Sequence, residues 1–417
     1  MPVDLPGFYF DIERNRYFPI SRKPEEAPAP AATPEAGKKK VIPIPKLLLD
    51  REIFPRNPVF FRRSTVETFS VRPQTWRYGV ITPQCAVGWG YCGYFENNAV
   101  FMGSSQGAAF VVSETHCRRP NDRFSMIIHP LPKNESLLEP GRRPPSLAVN
   151  RSLCAGGSSM VTAIKTLSTK QNPHKIAIVA RLGNATGGSL QVLDLDTLAV
   201  TADVRINYTV WTADMFPCGT KASIGTHTRA GVVNLQTGQR SWIYHCPHDV
   251  LSQKTDSTGN IVVCGFRNGC ILSLDIRERR FWKMDSRNSI RMKSSVCSLL
   301  LLPSDESYVV ASDMSDSIRL WDRRLVGRGW LRSFEGHKNS FSSLQLGIDP
   351  TGTVLMSGCE DNAVRIWSLR TGSLLHTETG ISCTPAKLVF RESDDDELWS
   401  TWLASRDELV YMHASSL

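Results

Sequence analysis

Cysteine pairs at metal or redox spacing are missing from this chain of 417 residues, although it holds 11 cysteines. An odd set of scattered thiols such as Cys85, Cys154, Cys264 and Cys359, with no CxxC, argues against a disulfide framework. Reduced thiols are the expectation, many of them acting in strands as small buried hydrophobes. No run of about 18 apolar residues offers a bilayer span. The first residues lack the basic start and apolar core of a secretory signal. These absences lead us to expect an intracellular, soluble chain, in the nucleus or cytoplasm, with no membrane partner.

Catalytic signatures are scarce as well. No GxGxxG leads from a strand into a helix, and GxxxxGK[ST] and HExxH do not occur. His245, Cys246 and His248 could offer metal ligands, but no second cluster stands at zinc spacing, so the run reads as a loop at a sheet edge. The acidic run Asp394, Asp395, Asp396 and Glu397 reads as a solvated turn. Asn134, Glu135 and Ser136 match a glycosylation acceptor that an intracellular chain would not use. No catalytic residue, metal or cofactor is expected, and function is to be sought in recognition.

What is present begins with a core-forming composition, 41% hydrophobic and 21% charged. A net charge of +9 could attract acidic partners. The basic pairs Arg62-Arg63, Arg118-Arg119 and Arg142-Arg143 are dispersed, however, and no recognition module accompanies them, so nucleic acid is not expected as a ligand. Lys38, Lys39 and Lys40 would suit nuclear import. Residues 5–20, LPGFYFDIERNRYFPI, concentrate Phe8, Tyr9, Phe10, Tyr17 and Phe18 just before a stretch without aromatics. Its two apolar arms, 8–11 and 16–18, flank a turn at 13–15 and read as a hairpin. A hairpin alone is marginal in water, so this one must dock, either on its own chain or on a partner. The Pro, Ala and Glu content of 21–37 cannot repay the entropy of ordering it, which makes it a tether. Residues 41–61 are rich in proline and apolar residues and should lie extended on the folded body.

One pattern then recurs: an apolar strand, a small residue, a polar turn and a second alternating strand. The clear copies are TVLMSGCEDNAVRIWS (353–368) and YVVASDMSDSIRLWD (308–322). Weaker copies lie at 98–113, 176–195, 220–235, 260–275 and 397–413. Turns recur at about 40 to 48 residues, the period of four-stranded propeller blades. The last copy stops after a third strand, so the missing outer strand should come from the N-terminal side, within 59–71, closing the ring and removing open edges. The turns at Gly107 and Gly187 stand about 80 residues apart, twice a period, which implies an insertion. With 124–131 as an outer strand, the segment 133–158 becomes a long loop leading into the next inner strand, either functional or disordered.

Trp321-Asp322 and Gly336-His337 are the dipeptides of WD repeats, and here the sequence resembles the WD-repeat β-propeller family. The resemblance implies an all-β, seven-bladed WD-repeat β-propeller over 47–417, with the insertion at 133–158, a linker over 21–46 and a docking hairpin over 1–20. It also implies that His337, Ser357, Asp361 and Trp367 form a buried hydrogen-bond chain tying one blade together, a structural role.

The strings ILSLDIR (271–277) and IRLWDRR (318–324) place Arg277 and Arg324 two positions after the repeat Asp, one blade apart. The planar five-donor guanidinium suits carboxylates or carbonyls across an interface. This resembles the WDxR box of the substrate receptors of cullin-4 RING ubiquitin ligases, in which the arginine docks the receptor on a propeller adaptor. Trp321, Asp322 and Arg324 match fully; Asp275 and Arg277 match with Leu274 in place of Trp. Trp367-Ser368-Leu369-Arg370 lacks the Asp and is not carried over. PGFYFDIERNRYF is similar to the N-terminal signature of one subfamily, that of the fourth-numbered cullin-4-associated factor. The resemblance implies a non-catalytic receptor whose partners are the propeller adaptor and a protein substrate that the sequence does not identify. Loops after the third strands would face the adaptor, and the opposite edge with the insertion would select the substrate. The alternative is a chromatin- or RNA-associated scaffold.

Overall fold

The computed structural model describes residues 8–11, 16–19, 74–78, 100–105, 108–116, 124–130, 152–157, 159–166, 176–184, 187–195, 197, 199–278, 289–381, 383–391, 397–405 and 409–415. The chain divides into two compact units, Met1–Leu49 and Asp50–Leu417. In the first, Phe8–Asp11 and Arg16–Pro19 pair antiparallel, with Tyr9 opposite Phe18 and Phe10 opposite Tyr17. The hairpin expected there is therefore present. The tether over 21–46 and the apolar segment after it lie outside the described residues.

The second unit holds seven four-stranded antiparallel sheets. In chain order, the first is Val100–Ser105, Ala108–His116, Phe124–Pro130 and Ser152–Gly157. The second is Val161–Thr166, Ile176–Asn184, Gly187–Asp194 and Ala199–Ile206. The third is Val210–Met215, Lys221–Thr226, Arg229–Asn234 and Arg240–His245. The fourth is Val250–Thr255, Ile261–Phe266, Cys270–Asp275 and Ile290–Arg291. The fifth is Val296–Leu301, Tyr308–Asp313, Ile318–Asp322 and Arg332–Ser333. The sixth is Leu346–Ile348, Val354–Gly358, Val364–Ser368 and Leu374–Glu378. The seventh joins Lys387–Arg391, Glu397–Ala404 and Leu409–Ser415 to Gln74–Tyr78.

Each sheet's first strand contacts the first strand of the next, and Lys387–Arg391 returns to Val100–Ser105. That closes a ring, which shields strand edges. Because every sheet is an antiparallel meander, connections between first and second strands share one rim with those between third and fourth. Connections from second to third strands, and from one sheet to the next, share the opposite rim.

The repeated sequence pattern has a physical cause. Asp256 turns the chain by accepting the Asn260 and Ile261 amides, both at 2.9 Å, and Asp349 does the same for Thr353 and Val354 at 2.6 Å. Each turn finishes on a glycine of positive φ, Gly259 at 68° and Gly352 at 71°, a conformation side chains disfavour. The small residue ending a second strand faces the next sheet. A Cβ at Gly265 would stand 2.6 Å from Val296 Cγ1, so the fifth sheet's inner strand can approach only a glycine. Between the fourth and fifth sheets Val263, Ile271, Val296, Leu299, Ala311 and Trp321 form one buried cluster. Each large member contributes about 1.5–3 kcal/mol by leaving water. Cys264, Cys270 and Cys297 are buried free thiols within strands, as expected, and Cys246 and Cys359 are buried just past strand ends.

Three expectations need correcting. The closing strand is Gln74–Tyr78, not a strand within 59–71, and it pairs Gln74 with His413 and Tyr78 with Leu409. The copy at 98–113 supplies the first and second strands of its sheet, one strand out of phase with the others, which supply second and third strands. Phe124–Pro130 is a third strand and Ser152–Gly157 an outermost one, so the long connection at 131–151 joins third to fourth strand. It thus belongs to the same class of connection as the loops after Asp275 and Asp322, not to the opposite rim.

Candidate protein-interaction site

The two Asp-x-Arg strings adopt one local geometry. Asp322 ends the third strand of the fifth sheet with its side chain only 2% exposed, and its carboxylate accepts the Arg324 amide at 2.9 Å. The Arg324 guanidinium folds back on the same carboxylate through Nε and Nη2, both at 3.1 Å. Nη2 also donates to the Tyr308 hydroxyl at 3.1 Å, and the guanidinium lies 5.3 Å from the centre of the Tyr308 ring. Asp322 chiefly, against the cost of burial, raises the Arg324 pKa further above its ordinary value. Behind it Trp321 is buried, edge-on to the half-exposed ring of Trp330.

In the fourth sheet Asp275 accepts the Arg277 amide and Nε at 2.9 Å each, and Nη2 at 2.6 Å. Hydrogen bonds from the Arg277 side chain and amide hold the Asp275 carboxyl down to about 2. Arg277 is 68% exposed and Arg324 53%.

Both arginines therefore stand on the rim of the third-to-fourth-strand loops, on adjacent sheets, open to solvent. Their forks, expected to hold carboxylates or carbonyls across an interface, are each half engaged by their own Asp. A guanidinium neutralised in this way still offers N–H donors and suits peptide carbonyls better than a second carboxylate.

Sequence reasoning missed the groups that tie these two places together. The Glu306 carboxylate accepts the Ser257 amide and hydroxyl, each at 2.9 Å, joining the first turns of the fifth and fourth sheets. Arg323 donates to the Glu306 carbonyl and, at 3.4 Å, to Ser273 Oγ on the neighbouring third strand. Asp256 acts electrostatically on both Arg277 and Arg323. The signal for Arg323 was the middle residue of each string, Ile276 in one and arginine in the other. Tyr308 is found by register, since it stands opposite Asp322 where Ile261 stands opposite Asp275.

The expected chain through His337, Ser357, Asp361 and Trp367 does not form; no hydrogen bond joins any two of the four. Trp367 Nε1 donates to the Glu335 carbonyl at 2.8 Å, and Ser357 Oγ donates to the Gly358 carbonyl at 2.9 Å. Asp361 pairs with Arg365 on its own hairpin, with Nη1 at 3.0 Å, and His337 Nδ1 lies 3.4 Å from Cys359 Sγ. Cys359 follows the second strand of that sheet and competes for the histidine that Ser357 was expected to hold. His337 and Trp367 are both buried. In the run His245 to His248, the Cys246 thiol donates to the His248 carbonyl at 2.8 Å, a loop contact. Of the aromatic hairpin, Phe8, Tyr9, Phe10, Tyr17 and Phe18 are placed only as paired backbone.

Residues 179–387, half of the chain, match the family described as the DDB1- and CUL4-associated factor 4 beta-propeller domain. The chain belongs to that family. The matched span contains both Asp-x-Arg strings and four complete sheets, the third to the sixth. Among curated relatives, DDB1- and CUL4-associated factor 4 of Bos taurus is 32% identical over 155 residues, 37% of this chain and 31% of the relative. The Homo sapiens protein of the same name is 33% identical over 158 residues, 37% of this chain and 30% of the relative. DDB1- and CUL4-associated factor 4-like protein 2 of Homo sapiens is 31% identical over 158 residues, covering 38% of that protein. The match thus spans about a third of the length of these relatives. As a member of the family, the chain is a WD-repeat β-propeller protein built from four-stranded sheets.

Proposed function

We propose that this chain is a substrate receptor of a cullin-4 RING ubiquitin ligase, its seven sheets forming the blades of one seven-bladed propeller. The rim carrying Arg277 and Arg324 docks on the ligase's propeller adaptor, DDB1, and the aromatic hairpin at 8–19 is a second docking element. The protein performs no chemistry; it holds a target beside the catalytic end of the ligase, where tethering raises the effective concentration. The observation that carries this reading is the pair of solvent-exposed arginines, each aligned by its own aspartate, on adjacent sheets of a DDB1- and CUL4-associated factor family propeller. An interface needs such pre-aligned groups, because ordering a loose arginine on binding costs about 0.5–1.5 kcal/mol.

The test is recovery of DDB1 by the tagged full chain. Arg277→Ala combined with Arg324→Ala is expected to abolish recovery while the chain stays folded, its melting temperature lowered by a few degrees because the buried Asp322 loses two donors. Undiminished recovery by the double variant would overturn the role given to these residues.

A further inference from the structure

The opposite rim, formed by the second-to-third-strand turns and the connections between sheets, has chemistry of its own. A mouth of about 530 Å³ opens there between the sheets and continues into a narrower cavity of about 90 Å³ lined by the first strands. Trp211, Leu251, Ser343 and Lys387 line both.

The mouth is apolar at its lip. Met160 is 44% exposed and Phe341 77% exposed. The Phe341 loop is pinned all the same. The Glu360 carboxylate accepts the Ser340 and Ser342 amides, both at 2.8 Å, and the Phe341 amide at 3.1 Å. Burial opposes the Glu360 charge, but these donors outweigh it and hold its carboxyl down to about 2. An ordered loop that leaves a phenyl ring in water spends solvation free energy that a bound apolar group would recover.

The shaft below is cationic. Lys387 stands at the start of its strand, near the mouth. Lys165 lies four residues along the strand that begins at Val161, roughly 13 Å from that end at the usual strand rise, and both lysines line the narrower cavity. Neither cavity has an aspartate or glutamate in its wall among the described residues. The nearby Asp214 is already engaged by Thr255, at 2.7 Å to the amide and 2.8 Å to the hydroxyl, and by Lys254 at 3.7 Å. Burial lowers the pKa of both lysines, with Lys165 adding to the fall at Lys387. At the mouth Arg267 lies 5.4 Å from the Trp211 ring centre and pairs with Asp249 through Nε.

We propose that this shaft receives the carboxy-terminal tail of a partner polypeptide, an apolar residue seating against Phe341 and Met160 while the terminal carboxylate reaches Lys387 and Lys165. The narrow bore admits a chain end threaded lengthwise. An internal aspartate or glutamate, anchored to a backbone that must pass across the mouth, is too short to reach the deeper lysine. The inference rests on the receptor reading only in naming that partner a substrate; the site itself needs no ligase.

The experiment uses the purified full chain and two pools of N-terminally biotinylated random nonapeptides, one with free carboxy termini and one with carboxamide termini. Retention of the free-carboxylate pool at least tenfold above the amide pool is expected. Lys165→Met with Lys387→Met, which keeps the aliphatic stems and removes both amino groups, should erase that difference without lowering the melting temperature. Phe341→Ser, on an exposed loop, should weaken retention about tenfold, and it decides the matter if the lysine variant fails to fold. Equal retention of both pools, or a preference confined to internal acidic or phosphorylated residues, would overturn the proposal. Arg277→Ala with Arg324→Ala should leave retention intact, so loss of DDB1 recovery and loss of tail binding report separately.

Discussion

The two Asp-x-Arg strings share a backbone turn and a carboxylate-guanidinium clasp, yet they are built to different tolerances. In the fifth sheet the aspartate is buried, a tyrosine supports the guanidinium with its hydroxyl and ring, and a buried tryptophan backs the strand. In the fourth, Asp275 is 24% exposed, isoleucine stands where the tyrosine would be, and leucine replaces tryptophan. The same three-residue code thus yields one arginine aligned before any partner arrives and one that keeps more of its freedom. What differs is burial and the residue that the shared register sets opposite each aspartate, away from the code itself.

The largest expected effect lies outside both strings and serves to isolate them. Burial pushes the His337 imidazole down to about 4, so it folds neutral. Between its ordinary value near 6.5 and that lowered value, the unfolded chain binds the extra proton. Stability should therefore fall as pH drops through this window, by about 3 kcal/mol in all. Chemical denaturation from pH 7 to pH 4 measures the slope, and His337→Phe should flatten it. Asp275 behaves otherwise: its lowered pKa makes its contribution complete above 3.8 and lost only as pH falls toward about 2, so the clasp stays closed throughout that titration.

Single substitutions sharpen the contrast. Arg324→Ala should weaken DDB1 binding about a hundredfold and Arg277→Ala about tenfold, because the pre-aligned group gives up less entropy on binding. Titration calorimetry or surface plasmon resonance would show the order, and the reverse order would break the comparison. On stability, Asp322→Asn should cost about 2 kcal/mol, since a buried acceptor of three donors loses its charge. Asp275→Asn, with its arginine mostly in solvent, should stay within about 0.5 kcal/mol. The smallest effect on affinity belongs to Tyr308→Phe, which removes one hydroxyl from a half-exposed arginine and should move DDB1 binding by less than about 1 kcal/mol. An effect as large as that of Arg324→Ala would place Tyr308 itself in the interface.

Much of the architecture could be read from the chain because its hairpins are local. A strand, a small residue, a turn and a strand leave an alternating trace within some 15 residues, and the turn aspartates and glycines punctuate it. That logic carried the repeat period and the need for a closing strand. It failed where distant segments choose their partners. The closing strand is Gln74–Tyr78 because the register of Leu409–Ser415 selects it, and nothing near residue 74 advertises that pairing. The copy at 98–113 has the right local trace in the wrong phase, since a hairpin does not record which of its strands lies innermost. The chain through His337 failed for a chemical reason: Cys359 approaches the histidine, and the Glu335 carbonyl approaches Trp367, from positions that pattern matching leaves blank. Arg277 and Arg324 were legible as exposed, paired positions. Their clasp onto Asp275 and Asp322 was not, although a two-residue spacing across a strand end invites it.

The seventh sheet has a consequence for biosynthesis. Gln74–Tyr78 leaves the ribosome early, whereas the strand it must pair with, Leu409–Ser415, is translated long afterwards. Throughout that interval the early strand has exposed amides and carbonyls and no native neighbour, which makes the nascent chain a natural client for chaperones that shield unpaired strands.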